Sequence, residues 1–149
     1  MGLAAGDKFG QGYCLSWHDT STKYFMDIYE GSTRSSISDI FIDDTKFYHI
    51  AMAWDGTTNA DGQRLYYNGI VTNTRASAVS VMDVASYDFA IGHTDNPSYG
   101  SQRQYDGIID EVWLIDKDYG SSFILTHYNN VINAINGGFF IIGPEETGP

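Results

Sequence analysis

The residues able to do chemistry are carboxylates, imidazoles, one thiol and many tyrosines, and their spacing limits what they can do. The densest acidic run is Asp110-Glu111-Val112-Trp113-Leu114-Ile115-Asp116. Cleaving a glycosidic bond with retention takes two carboxyl groups about 5–5.5 Å apart. On a strand, Asp110 and Asp116 share a face, yet at about 3.3 Å per residue roughly 20 Å separates them. Glu111 points to the opposite face, and Asp110 reads as a buried structural carboxylate satisfied by loop amides. The histidines are His18, His49, His93 and His127, and none sits beside a Gly-x-Ser-x-Gly elbow. His49 alternates with apolar residues and reads as a satisfied core histidine. Cys14, the single cysteine, lies among apolar and aromatic residues and reads as a small buried hydrophobe. No nucleophile, base and orienting group fall into one constellation, so the expectation is a protein that is not an enzyme.

The elements that must position these residues are strands. Aromatics form 15% of the 149 residues and favour pleated, half-buried surfaces, while 16 glycines spread along the chain suit many turns. The sequence predicts strands at Phe9 to Trp17, from Tyr24 to Tyr29, at Ile37 to Ile42, at Phe47 to Trp54, on either side of Asn68-Gly69, at Phe89 to Gly92, and at Ile108 to Ile115. Phe47 to Trp54 is apolar on both faces, which predicts a central strand. An Asn-Gly pair between Arg64–Tyr67 and Ile70–Thr74 predicts a hairpin with a type I′ turn. His93 to Gln104 reads as a loop. Phe123, Ile124, His127, Tyr128 and Val131 recur at helical spacing, so 119–132 is predicted as a short helix that Ser121 or Ser122 could cap. A last strand at Phe139 to Ile142 and a polar tail at 144–149 complete a single domain over 1–149.

A formal charge of −11 argues against nucleic acid and against anionic membrane surfaces, both of which need clustered cations. No stretch approaches membrane-spanning length, so no membrane insertion is expected. One cysteine excludes an intrachain disulfide. Met1 to Gly12 lacks the apolar core of a signal peptide, which suggests an excised piece of a longer protein or export without a signal, as in a virus particle.

Three ordered segments carry a family resemblance over roughly 23–116. Phe47-Tyr48-His49-Ile50-Ala51-Met52-Ala53-Trp54-Asp55-Gly56 resembles a W-x-H-V-A-x-x-Y-D-G strand, with Phe47 in place of Trp. Arg64-Leu65-Tyr66-Tyr67-Asn68-Gly69-Ile70-Val71 is similar to an L-Y-V-N-G-x-x-V hairpin. Phe89-Ala90-Ile91-Gly92 with Tyr105-Asp106-Gly107-Ile108-Ile109-Asp110-Glu111-Val112-Trp113-Leu114-Ile115 is similar to L-x-I-G followed by F-x-G-x-I-D-E-V-R-I-Y. These motifs resemble the laminin-G-like branch of the concanavalin A-like lectins. The end of the chain, from Phe123 to Asn130 and from Phe139 to Glu146, resembles the ending of such domains in large prokaryotic surface proteins, with His127 in place of Glu.

The resemblance implies an all-β, two-sheet antiparallel jelly-roll sandwich with a short C-terminal helix (119–143 with its closing strand). It also implies that the first two strands are absent here, leaving ladder positions that other chains of an assembly could supply. By resemblance, calcium is a possible cofactor at a sandwich rim, with Asp95 and Asp110 as candidate ligands. The loop Asp55 to Asp61 has only a fragment of calcium-loop spacing, because Asn68 stands where a closing Glu belongs. Sugar contacts would come from an aromatic ring with Asp or Asn, so Asp95, Asn96, Tyr99 and Tyr105 are the candidate ligand-binding residues, Tyr99 foremost. Trp17 with His18 and Trp113 are also available, although Trp17, Trp54 and Trp113 are expected to pack in the core or sheet. The expected function is a binding module for a glycan or surface protein, extracellular or on a particle surface. The alternative is a structural protein of a virion or surface layer, and a glycoside hydrolase ranks behind both.

Overall fold

The computed structural model describes residues 2–5, 12–18, 23–39, 45–82, 89–94 and 103–135. Its strands are β1 (Gly2–Ala5), β2 (Gly12–His18), β3 (Lys23–Glu30), β4 (Thr33–Asp39), β5 (Ile50–Trp54), β6 (Gln63–Tyr67), β7 (Ile70–Arg75), β8 (Ala90–Ile91), β9 (His93–Thr94) and β10 (Arg103–Gln104). The helix α1 covers Ser121–Ile135. One antiparallel sheet has the order β4-β3-β2-β1-β8, a second the order β5-β6-β7, and β9 and β10 form a short hairpin. The fold is mostly β with a helix near the end, as expected for a concanavalin A-like sandwich.

Strand alternation explains how the two larger sheets face each other. Pairing sets Leu15 opposite Met26, Met26 opposite Ile37, and Tyr13 opposite Ile28, so these share the inner face of the first sheet. In the second sheet Met52 lies opposite Leu65 and Ile50 opposite Tyr67. The core is Tyr24, Met26, Ile28, Ile37, Leu65 and Val79, with Leu15, Trp17, Ile50, Met52 and Trp54 packed against it. Polar bonds fix the sheets in register. Ser35 Oγ donates to Gln63 Oε1 deep in the interior, Gln63 Nε2 reaches the Ser35 carbonyl at 3.4 Å, and Asn73 Nδ2 donates to the Ser38 carbonyl at 2.9 Å. Buried amide and hydroxyl groups are costly to leave unpaired, so these bonds specify the alignment as well as stabilise it.

The Asn68-Gly69 turn has φ of 50° and 79°, positive at both central residues as a type I′ turn requires. The 3–4 spaced stripe becomes the half-buried face of α1. Several expectations are corrected. The ladder beside β2, read as open, is filled by β1, a Gly-Leu-Ala-Ala segment whose composition gives little strand signal. The third strand begins earlier, at Thr33. β5 begins at Ile50 and, among the described residues, lies at an edge of its sheet, where a central position was expected. α1 meets the chain just before β5, at His49. His93–Thr94 pairs with Arg103–Gln104, where a loop was expected.

The largest departure is Ile108 to Ile115, which forms no strand. Glu111 adopts φ of 53°, and its amide donates to Asp110 Oδ1 at 2.9 Å. A local side-chain bond with a left-handed residue interrupts the extended run and competes with a ladder. Trp113 is consequently 60% exposed and not in the core. Phe9 to Gln11, Ile40 to Ile42 and the strand expected at Phe139 to Ile142 lie outside the described residues.

Candidate functional site: an aromatic mouth at one end of the sandwich

One end of the interior is lined by aromatic rings. Trp17 is the last inner-face residue of β2 and Tyr24 the first of β3, and they are directly opposite, with ring centroids 5.2 Å apart. On the facing sheet Tyr67 ends β6 on the same face as Leu65. Tyr48, two residues before β5, packs on it with centroids 5.1 Å apart. Paired bonds between His49 and Asn68 hold Tyr48 and Tyr67 together: the Asn68 amide donates to the His49 carbonyl at 2.8 Å, and the His49 amide to Asn68 Oδ1 at 3.1 Å. Tyr105 closes the group. Its amide donates to the Gly92 carbonyl at 2.6 Å, and its ring lies over Gly107, where an added Cβ would stand 2.6 Å from it.

The hydroxyl of Tyr24 gathers the cluster. Burial raises its pKa well above the ordinary tyrosine value, and the nearby phenols of Tyr105, Tyr67 and Tyr48 raise it further. Tyr24 therefore stays a neutral donor and acceptor. Asp39 lies directly opposite Tyr24 in the β3–β4 register, which places a carboxylate on the inner face at the same end. The arrangement offers several ring faces, several phenolic hydroxyls and one carboxylate, a set suited to polar ligands with apolar faces.

The outer face of the first sheet carries a different group. Asp27 lies opposite Cys14 and Ser36, and is 3% exposed. Arg34 Nη2 donates to Asp27 Oδ2 at 2.9 Å and to Ser36 Oγ at 3.4 Å. Among the described residues, Asp27 is the only carboxylate that the register places on this face of β1–β4 and β8. Cys14 is half-buried there, not enclosed in the core.

Of the candidate residues, Tyr105 belongs to the aromatic mouth, whereas Asp95, Asn96 and Tyr99 lie outside the described residues. Asp110 is exposed, bonded only to its neighbour's amide in the contacts seen, which corrects its reading as a buried carboxylate. In the 55–61 loop, Asp55 Oδ1 accepts from the Thr57 amide at 2.8 Å and hydroxyl at 2.7 Å, a self-contained turn. Among the described residues no group of three His, Cys, Asp or Glu side chains could hold a metal ion. His49 is not a satisfied core histidine. It lies on the outward side of its sheet, bonded through Nε2 to His127 Nδ1 at 3.0 Å, while its buried Nδ1 has no partner. Sequence reasoning missed Tyr24, Tyr48, Tyr67 and Asp39. Strand alternation alone could have grouped them, since each is an inner-face position near a strand end.

Two facing antiparallel sheets around an apolar core, with aromatic rings gathered at one end, define the class: a β-sandwich. The model of the concanavalin A-like lectin/glucanases superfamily matches residues 3–121, and the chain belongs to that family. Laminin-G-like domains of this superfamily are generally non-catalytic binding modules. Neither a curated protein nor a solved structure matches the chain.

Proposed function

We propose that this chain is a non-catalytic carbohydrate-binding module whose contact surface is the aromatic mouth formed by Trp17, Tyr24, Asp39, Tyr48, Tyr67 and Tyr105. The carrying observation is the pair of packed aromatic couples at this end of the two facing sheets, Trp17 with Tyr24 at 5.2 Å and Tyr48 with Tyr67 at 5.1 Å between ring centroids. A sugar ring would stack on Tyr105 or Tyr48, with hydroxyls bonded by the phenols and Asp39. Asp27, the only carboxylate on the outer face of the first sheet among the described residues, supports a non-catalytic reading, since glycoside hydrolysis needs two carboxyl groups in concert. Calcium enters this reading as an accessory ion, with Asp95 the candidate ligand named from the sequence. An extracellular or particle-surface location accords with this role.

A glycan array, read with and without EDTA, tests the proposal alongside Tyr105→Ala and Tyr48→Ala. Losing one stacking ring of about 1.4 kcal/mol weakens binding about tenfold. Absence of binding by the wild type, or equal binding by both variants, refutes it. A second reading, a structural protein joining other chains, is favoured by one observation. Ile108, Val112, Trp113, Leu114 and Ile115 are all exposed on a segment without a strand partner among the described residues. Native mass spectrometry distinguishes it, since a concentration-dependent oligomer without glycan affinity supports assembly.

A further inference from the structure

The interface between α1 and the second sheet turns on a pair of imidazoles. His49 Nε2 and His127 Nδ1 are 3.0 Å apart, and Tyr128 stacks on His49 with centroids 5.8 Å apart. Trp113 sets its ring edge-on against His127 at 4.5 Å. The hydrogen bond between two imidazoles takes one proton, so one of the facing nitrogens must be bare. The free nitrogen of His49, Nδ1, is buried without a partner, so a lone pair there costs less than a buried N–H. The favoured tautomer therefore has His49 Nε2–H donating to a bare His127 Nδ1.

We infer that the His49–His127 pair is a pH-sensitive clasp that holds helix α1 on the β5-β6-β7 sheet when neutral and releases it when protonated. A proton has two places to enter. On His127 Nδ1 it removes the acceptor and sets two N–H groups against each other. On His49 Nδ1 it places a charge where no partner receives it. Both oppose docking. Burial, and secondarily His127, lowers the pKa of His49 below the ordinary 6.5; its own backbone opposes the shift more weakly, without meeting Nδ1 in hydrogen-bond geometry.

The direction follows from linkage. The undocked helix frees His49 to ordinary basicity, so below about pH 6.5 the undocked form binds the more protons. Docking is retained above that pH and lost as the pH falls, by up to tenfold in equilibrium per pH unit for each proton taken up. The charged groups on the packed elements do not reverse this. Glu111 accepts from the Nε1 of Trp113, the ring that meets His127, at 3.2 Å, and a negative charge on that side blunts the effect. At the helix start, Arg64 and Asp118 neutralise each other.

This inference stands apart from the ligand reading. Hydrogen–deuterium exchange of the whole chain, corrected for intrinsic exchange, is measured at pH 7.5 and 5.0 on peptides from 121–135 and from β3. Protection of the helix is expected to fall at least tenfold at pH 5.0 while β3 is unchanged. In the double variant His49→Gln, His127→Gln, which keeps two hydrogen-bonding side chains but has neither imidazole, the dependence is expected to flatten. Equal loss in wild type and double variant, or no loss in the wild type, overturns the clasp. Should the double variant not fold, NMR titration of the wild-type imidazoles decides directly: a His49 pKa at or above 6.5 overturns it.

Discussion

Gly69 and Gly56 share a φ of +79° but not their surroundings, so together they separate a backbone effect from a packing effect. A Cβ added at Gly56 meets nothing within 4 Å. One added at Gly69 stands 3.0 Å from Leu125 Cδ1 and 3.0 Å from both Cβ and Cδ1 of Tyr128. Gly56→Ala should therefore cost only the left-handed penalty of about 1–2 kcal/mol. Gly69→Ala carries the same penalty and adds overpacking against the helix of about 1–3 kcal/mol. The Leu125 tip can swing aside, but Tyr128 Cβ is fixed to the α1 backbone, so the second cost cannot be relieved by a rotamer change alone. Urea unfolding of both variants gives the difference. Adding Leu125→Ala should recover only part of the Gly69→Ala loss, because the Tyr128 contact persists. Equal costs at the two glycines would refute the docking of α1 over the Asn68-Gly69 turn.

Further substitutions test other contacts. Leu65 is 0% exposed in the core, and Leu65→Ala should lower stability by about 2–5 kcal/mol in urea titration. Arg34→Ala removes the ion pair of a buried Asp27 whose other oxygen already lacks a partner. Because Arg34 is partly exposed, the expected loss is about 1–3 kcal/mol, recovered by Asp27→Asn in the same chain. Tyr66→Phe removes the 3.2 Å bond to Ser121 Oγ beneath the helix and should cost about 0.5–1.5 kcal/mol, read as lower thermal stability.

The sheets were legible because their signals are local. Asn68-Gly69 announces its turn by chemistry, since few residues other than Asn and Gly take a left-handed conformation easily. The helix was legible through the spacing of Phe123, Ile124, His127, Tyr128 and Val131. Its capping was not. The Ser121 hydroxyl goes to Tyr66, while Asp118 accepts from the Gly120 amide at 2.8 Å and from Arg64. That choice depends on Tyr66 and Arg64, more than 50 residues away in the chain. Ile108 to Ile115 misled for the opposite reason. Its β-branched and aromatic residues suit a strand, but the Asp110 carboxylate captures the next amide and Glu111 turns left-handed. The aromatic mouth was only partly legible because its rings come from four separate stretches of chain, and no linear motif marks their convergence.

The same alternation that builds the mouth also ties it to the helix. Around Asn68-Gly69, odd and even positions serve different layers. Tyr48 and Tyr67 turn into the sandwich, and Arg64 and Tyr66 turn outward to meet Asp118 and Ser121. His49 likewise turns outward, to His127, and its backbone is bonded to Asn68 on both sides of the turn. Any shift of His49 that follows release of α1 is therefore passed one residue along the chain to Tyr48, a ring of the proposed ligand surface. A one-residue slip in this hairpin would exchange the two sets, putting His49 into the mouth and Tyr48 under the helix. The left-handed pair at Asn68-Gly69, by fixing the hairpin register, keeps the aromatic surface and the imidazole pair on opposite sides of one sheet.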